Sequence, residues 1–394
     1  MGLRACQNEA ERYVLVESVA KVFADRALGH DLKGTFPHEN FADLKAIGYP
    51  LLTVPKAYGG LAISLSEMLK LQQLLASYCG STALAIGWHL GVIHHLGAHG
   101  VWDEAVFAEV AHDVVENGAL INNAASERAT GSPTRGGRPE TVALEKDGGW
   151  LLNGRKSFTT LSPELDYFVV TASIDGTEDV GNFLVRRELA GVHIDPVWDS
   201  VSMKVSGSHD LVLTDVFLKK EDLVQVNAGR KKADGWLLHV PAVYLGIAKA
   251  AEKYAVEFAT SYSPNSIQGT IADIPKVKER IGEIALKRLE SETILLSIAK
   301  EWEAASEDEQ ETFALKLGAA KLIVVNQAVE IVDLAMRIVG ARSLSEKCPL
   351  QRYYRDVRAG LHNPPMDDMT VTALANDAIE RFSKKEKITN EEEG

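Results

Sequence analysis

Four groups of residues in this sequence have the types and spacing to do chemistry. The turn from Ser126 to Ser132 (SERATGS) offers hydroxyls and backbone N–H groups that can cap carbonyl or phosphate oxygens. Phe158 stands two residues before Thr160. A planar aromatic beside a hydroxyl suits a flat ring that is stacked on one face and hydrogen-bonded at its edge. Both groups also have a plainer reading, the serines as turn formers and Phe158 as a core residue of its strand. Histidines crowd one stretch, at His89, His94, His95 and His99. Imidazole titrates near working pH, so His89 is a candidate acid or base, although a lone helical histidine is as readily satisfied structurally. His95 and His99 share i, i+4 spacing, but no carboxylate motif lies beside them and no metal site is expected. Near the other end, His362 precedes Asn-Pro-Pro, and Asp367-Asp368 precede the apolar-periodic MTVTALANDAI. These three are candidate catalytic groups; the aspartates equally suit the N-cap of the helix that follows.

The elements that must position these groups change period twice along the 394 residues. Residues 1–117 show helical spacing, as in Tyr13, Val14, Val16, Val19, Ala20 and Phe23. From 118 to 228 the period shortens to that of strands, with Asn153-Gly154 as a hairpin-turn signal. From 229 to 384 the helical period returns. Phe313, Leu317, Ala320, Val324, Ala328, Val332, Ala335 and Val339 mark one long face, and a second helix spans Ile281 to Trp302. Two long helices on a short polar connector favour an antiparallel bundle. The tail, 385–394, is polar and reads as disordered.

Composition narrows the function classes. With 42 Lys+Arg against 55 Asp+Glu the formal net charge is −13, which argues against a general nucleic-acid binder and against attraction to anionic membranes. No apolar run approaches the ~18–20 residues of a membrane span. The first residues lack the basic-then-apolar order of a signal peptide, so a cytoplasmic enzyme is expected. Cys6, Cys79 and Cys348 are too scattered for a disulfide framework or a zinc site.

Five strings in order resemble the acyl-CoA dehydrogenase superfamily: VPKAYGGLAISLSE (54–67), NNAASERATGS (122–132), NGRKSFTT (153–160), WDSVSMKVSGSHDLVLTDVFL (198–218) and RIVGARSLSEKCPLQRYYRDVR (337–358). The resemblance implies an α+β fold with a helical N-terminal domain, a central β-barrel-like domain and a C-terminal four-helix bundle, assembled as a homodimer or homotetramer. It implies a flavoprotein, with FAD as the first expectation and FMN also compatible. Flavin contacts carry over to Asn123, Ser126, Ser132, Phe158 and Thr160, and the phosphate side of the cofactor to Arg337 and Gly340. It implies FAD-dependent introduction of a 2,3-double bond into an acyl-CoA thioester, in fatty acid metabolism, with a separate electron acceptor.

Two departures from the family pattern bear on that chemistry. Its inter-subunit arginine is missing from SYSPNSIQG (261–269). Its catalytic glutamate is replaced at both standard positions, by Pro364 and by Trp236. The substitutes within reach are Asp367, Asp368 and His362. The string LHNPP also resembles the LHDP of reduced-flavin monooxygenases on the same fold, and GWHLGV around His89 resembles a histidine-bearing helix of that branch. Two alternatives therefore stand beside the dehydrogenase. One is a two-component flavin monooxygenase, fed by a flavin reductase and acting on a small organic substrate such as a sulfur- or nitrogen-containing one; the other is a flavin-free binding protein.

Overall fold

Asn8 begins the first long helix by accepting the Glu11 N–H on its side chain, and Gly34, at φ 65°, ends it. In the computed structural model, which describes residues 2–131, 137–227 and 234–392 (backbone alone beyond 383), this helix is α1, Glu9–Lys33. It is followed by α2 His38–Ile47, α3 Leu65–Tyr78, α4 Gly80–His99 and α5 Glu104–Asn117. Helix α4 is apolar on most faces, and fourteen of its twenty residues are buried, so it is the central rod of the N-terminal part.

Eight strands follow: β1 Ile121–Ala124, β2 Val142–Lys146, β3 Gly149–Thr159, β4 Tyr167–Ile174, β5 Val180–Arg186, β6 Val192–Asp195, β7 His209–Lys219 and β8 Leu223–Val226. They form one sheet in the order β6-β7-β3-β2-β4-β5-β8, with β1 parallel to β4. This path is open, and β6 and β8 are its two ends.

The hairpin signal at Asn153-Gly154 is corrected here. Those residues lie within β3, where the register against β7 shifts between Leu152 and Gly154. Asn153 exchanges two hydrogen bonds with Asp215 across the bulge, and a Cβ on Gly154 would stand 2.4 Å from the Thr141 hydroxyl. The turn joining β2 to β3 is Asp147-Gly148, at φ 53° and 79°, the positive pair that a tight hairpin needs.

The C-terminal part is helical: α6 His239–Ser261, α7 Pro275–Ala304, the short α8 Glu307–Gln310, α9 Ala314–Val339, α10 Pro349–Asp356 and α11 Asp367–Glu392. Helices α6, α7 and α9 pack on one another, while α3 joins α6 from the N-terminal side and α11 lies on α9. The backbone of α11 is helical through Glu392, so residues 385–392, read from sequence as a disordered tail, extend this helix. Among the described residues no helix is long and apolar enough to cross a membrane.

Candidate functional site

The site grows from the end of β3. Lys156 is fully buried and ion-pairs with Glu127, whose carboxylate also accepts from the Thr141 hydroxyl and from the N–H groups of Glu140 and Thr141. Burial disfavours the charged carboxylate, but these donors outweigh it and hold Glu127 at about 2. The pair anchors the loop after β1, and the Ser157 N–H then reaches the Ser126 carbonyl at 2.8 Å.

Two residues beyond Lys156 the strand breaks its own rules. Phe158 sits at φ 56° with its ring 64% exposed. A left-handed backbone on a bulky residue costs of order 1–3 kcal/mol and persists only where surrounding structure imposes it. The ring meets Trp198 edge-on, with centroids 5.9 Å apart. Leu161 and Met203 also have positive φ, and the Leu161 N–H donates to the Ser206 carbonyl, so the strain extends into the facing loop.

Around this aromatic corner lies a run of hydroxyls. Thr160 Oγ1 is 2.9 Å from Ser208 Oγ, which is 2.8 Å from Ser206 Oγ. Asn122 donates to the Thr160 carbonyl and its Oδ1 accepts the Asn123 N–H. The Ser157 and Thr159 hydroxyls are buried with no hydrogen-bond partner among the described residues. An exposed aromatic face beside polar donors fits a flat, polar-edged ring such as a flavin. The structure thus brings Asn123, Ser126, Phe158 and Thr160 to one corner; Ser132 lies outside the described residues. Trp198, Ser206 and Ser208 join them. Sequence reasoning missed these three, because only the fold lays residues 198–208 against β3.

Arg337 and Gly340 lie elsewhere, at the end of α9. With Ser343 and Tyr354 they help line an open pocket of about 380 Å³. Arg337 is drawn to Asp333 at 2.6 Å, one helical turn away.

The proposed acid–base residues divide sharply. His89 is fully buried; its Nδ1 accepts the Ile121 N–H and its Nε2–H donates to the Pro50 carbonyl. Both ring nitrogens are spent on tying α4 to β1, and burial pushes the imidazole down to about 4. This histidine builds the fold. Asp367 opens α11 and is held by Lys321 at 3.3 Å and by the Asn326 side-chain amide at 2.8 Å, while Asp368 is exposed beside it. His362 is exposed at the end of a 3-10 turn, and the next residue, Asn363, accepts the Tyr244 hydroxyl at 2.7 Å.

Trp236 presses its indole on α4 at Gly91, where a Cβ would approach to 1.9 Å, and stacks on His239 at 5.5 Å. His239 in turn faces Gly87, and both its ring nitrogens are buried without a partner among the described residues, as are both polar atoms of Gln72. Glycines one turn apart on α4 therefore make the groove that receives both rings. Close by, Asp356 is fully buried, which pushes its carboxyl up to about 6; it accepts the Met203 N–H at 2.7 Å and pins the 198–208 loop to the C-terminal part.

Profiles of the acyl-CoA dehydrogenase N-terminal, middle and C-terminal domains match residues 8–101, 122–216 and 238–363. The chain belongs to the acyl-CoA dehydrogenase family. It is 50% identical over 378 residues to the acyl-CoA-dehydrogenase-like protein YdbM of Bacillus subtilis (strain 168), covering 95% of this chain and 98% of that one. It is 26% identical to the mitochondrial short-chain specific acyl-CoA dehydrogenase of Mus musculus, over 88% of this chain and 85% of the relative. Among solved structures, KijD3 in complex with FMN and dTDP-3-amino-2,3,6-trideoxy-4-keto-3-methyl-D-glucose superposes with a TM-score of 0.82 at 27% identity, covering 93% of each chain. The family is one of flavin-dependent oxidoreductases, in which dehydrogenases and monooxygenases share the fold.

Proposed function

We propose that this chain is a two-component flavin monooxygenase acting on a small organic substrate that carries nitrogen or sulfur. The observation that carries this reading is the state of the carboxylates. Acyl-CoA dehydrogenation needs a carboxylate free to take the α-proton. Pro364 and an indole, Trp236, occupy the positions where the family resemblance puts that base. Of the substitutes, Asp367 is engaged by Lys321 and Asn326, and Asp368 is turned to solvent beside it. His362, by contrast, is exposed and offers an imidazole as a proton-transfer group.

A reduced flavin would supply the electrons that activate oxygen. Phe158 and Trp198 would form its stacking wall, and the Thr160–Ser208–Ser206 hydroxyls would hydrogen-bond its edge. The polar atoms of His239 and Gln72, buried without a partner among the described residues, favour a polar substrate over an aliphatic acyl chain, since burying such atoms against hydrocarbon costs about 1–3 kcal/mol each. FMN is the flavin we infer: the inter-subunit arginine is missing, Arg337 is drawn to Asp333, and the relative KijD3 holds FMN. A separate flavin reductase would be the redox partner. Val371, Ile379 and Phe382, apolar and exposed on α11, support assembly as a homodimer or homotetramer.

The second reading, FAD-dependent acyl-CoA dehydrogenation, is favoured by the half-identical relative YdbM. Anaerobic titration of the flavin-loaded protein with acyl-CoAs of several chain lengths separates the two. The monooxygenase reading expects no flavin bleaching, and substrate-dependent incorporation of oxygen when reduced FMN is supplied. Stoichiometric bleaching by any acyl-CoA would overturn it.

A further inference from the structure

The i, i+4 pair His95 and His99 lies on the last turns of α4, where the sequence shows no neighbouring carboxylate. The fold supplies one from 135 residues further along. Asp234 comes down at the entrance to the C-terminal part, and its Oδ2 lies 2.7 Å from His95 Nδ1 and 3.3 Å from His99 Nε2. The three ligand atoms all fall within 4.8 Å of one another.

The carboxylate is built into place. Asp234 is 3% exposed, and its Oδ1 accepts the Trp236 N–H at 3.2 Å, capping the short helix Gly235–Leu238. One oxygen is thus fixed by the backbone, which aims the other at the two imidazoles; an outer hydrogen bond of this kind orients a metal ligand. The imidazoles are tilted rings 4.9 Å apart, partly open to solvent. A third ring, His94, is half-buried beside them, with its Nδ1 buried and unpartnered among the described residues.

We propose that His95, His99 and Asp234 form a binding site for a first-row divalent cation of the zinc class. Two imidazoles and one carboxylate are the donor set that zinc, cobalt, nickel and ferrous iron share, and three protein ligands leave at least one position for water. Bonds of 2.0–2.1 Å in a tetrahedron separate ligand atoms by about 3.3 Å. The His99–Asp234 distance already has that value, and the His95–Asp234 contact needs to open by only about half an ångström. The bound ion would clip α4 to the segment carrying Trp236 and His239, the two rings that close the groove over Gly87 and Gly91. It would therefore act as a brace of the substrate side, separate from the flavin corner at Phe158.

The test uses untagged, full-length protein stripped with a chelator and dialysed. Titration with Co²⁺ alone, followed by visible absorption, and with Zn²⁺ alone, followed by calorimetry, should each show one equivalent bound, with a matching rise in Tm. The His99→Ala variant removes an exposed ligand and leaves the Asp234 cap intact, so it should fold and lose at least about tenfold in affinity. Replacing the exposed His193, on the sheet, should change nothing. No stoichiometric binding by the wild type, or equal affinity in His99→Ala, would overturn the site.

Discussion

Lys156 and Phe158 are two residues apart on one strand, and their environments are the reverse of what their side chains prefer. The ammonium is fully buried and the phenyl ring is 64% exposed. Lys156 tolerates burial because Glu127 neutralises it, and Glu127 is satisfied by Thr141 and two backbone N–H groups. Phe158 has no such compensation: it combines solvent exposure with a left-handed backbone. One residue is fully provided for by its own chain, whereas the other leaves a face and a strain that a bound ring would use. The difference separates residues that build the corner from residues that wait for a ligand.

The largest effect should come from breaking the buried pair. Glu127→Gln leaves an uncompensated ammonium with no route to solvent, and should cost about 3–5 kcal/mol in denaturant unfolding. Converting both partners, as Lys156→Met with Glu127→Gln, should restore most of that loss, since the amide oxygen still accepts from Thr141 and the two N–H groups while no buried charge remains. A single Glu127→Gln variant as stable as wild type would show that the pair is not the anchor.

Acid should expose the same distinction. His89 and His239 are buried neutral, held by that burial at about 4 and about 3. Their folded pKa values lie below the ordinary histidine value of 6.5, so the stability they confer is complete above pH 6.5 and is lost as pH falls towards 3. Glu127 is also depressed, to about 2 from 4.5, and adds a second loss below pH 4.5. Thermal melts from pH 8 to pH 3 should therefore steepen below about pH 4.5, and that steepening should be smaller in the double variant at Lys156 and Glu127.

At the exposed partner of the comparison, Phe158→Gly should leave stability within about 1 kcal/mol of wild type. Glycine relieves the positive φ but costs chain entropy, and these nearly cancel. Flavin affinity should instead fall roughly 3- to 10-fold, the value of one stacking contact. Equilibrium dialysis with FMN reads the affinity and a melt reads the stability. A loss of stability without a loss of affinity would make Phe158 a builder like Lys156.

Much of this corner is legible in the sequence, because the strings around Ser126 and Phe158 carry local turn and strand signals. The three-part order of helices, strands and helices is equally legible, since periodicity is a local property. What escapes is whatever depends on register or on distant contact. Asn153-Gly154 reads as a hairpin, yet Asp147-Gly148 makes the turn, because the bulge opposite Asp215 absorbs the first pair. His89 reads as a candidate acid or base, but the partners that consume its nitrogens, Pro50 and Ile121, come from outside its helix. Asp234 stands alone in sequence and meets His95 and His99 only through the docking of α6 on α4.

The smallest effect should come from a pair between these extremes. Lys321 is nearly buried, but Asp367 is 38% exposed and shares its carboxylate with Asn326. Asp367→Asn keeps a polar partner for Lys321 and lets water reach the rest, so the stability change should stay below about 1 kcal/mol. The same variant bears on the chemistry. If Asp367 only caps α11 and holds Lys321, oxygen incorporation into substrate should survive with kcat within about twofold, a barrier change well under 1 kcal/mol. A base that removes the α-proton would instead contribute roughly 10²–10⁴-fold, and its amide should abolish turnover. A normal melt with lost activity would move Asp367 from the builders to the catalytic groups.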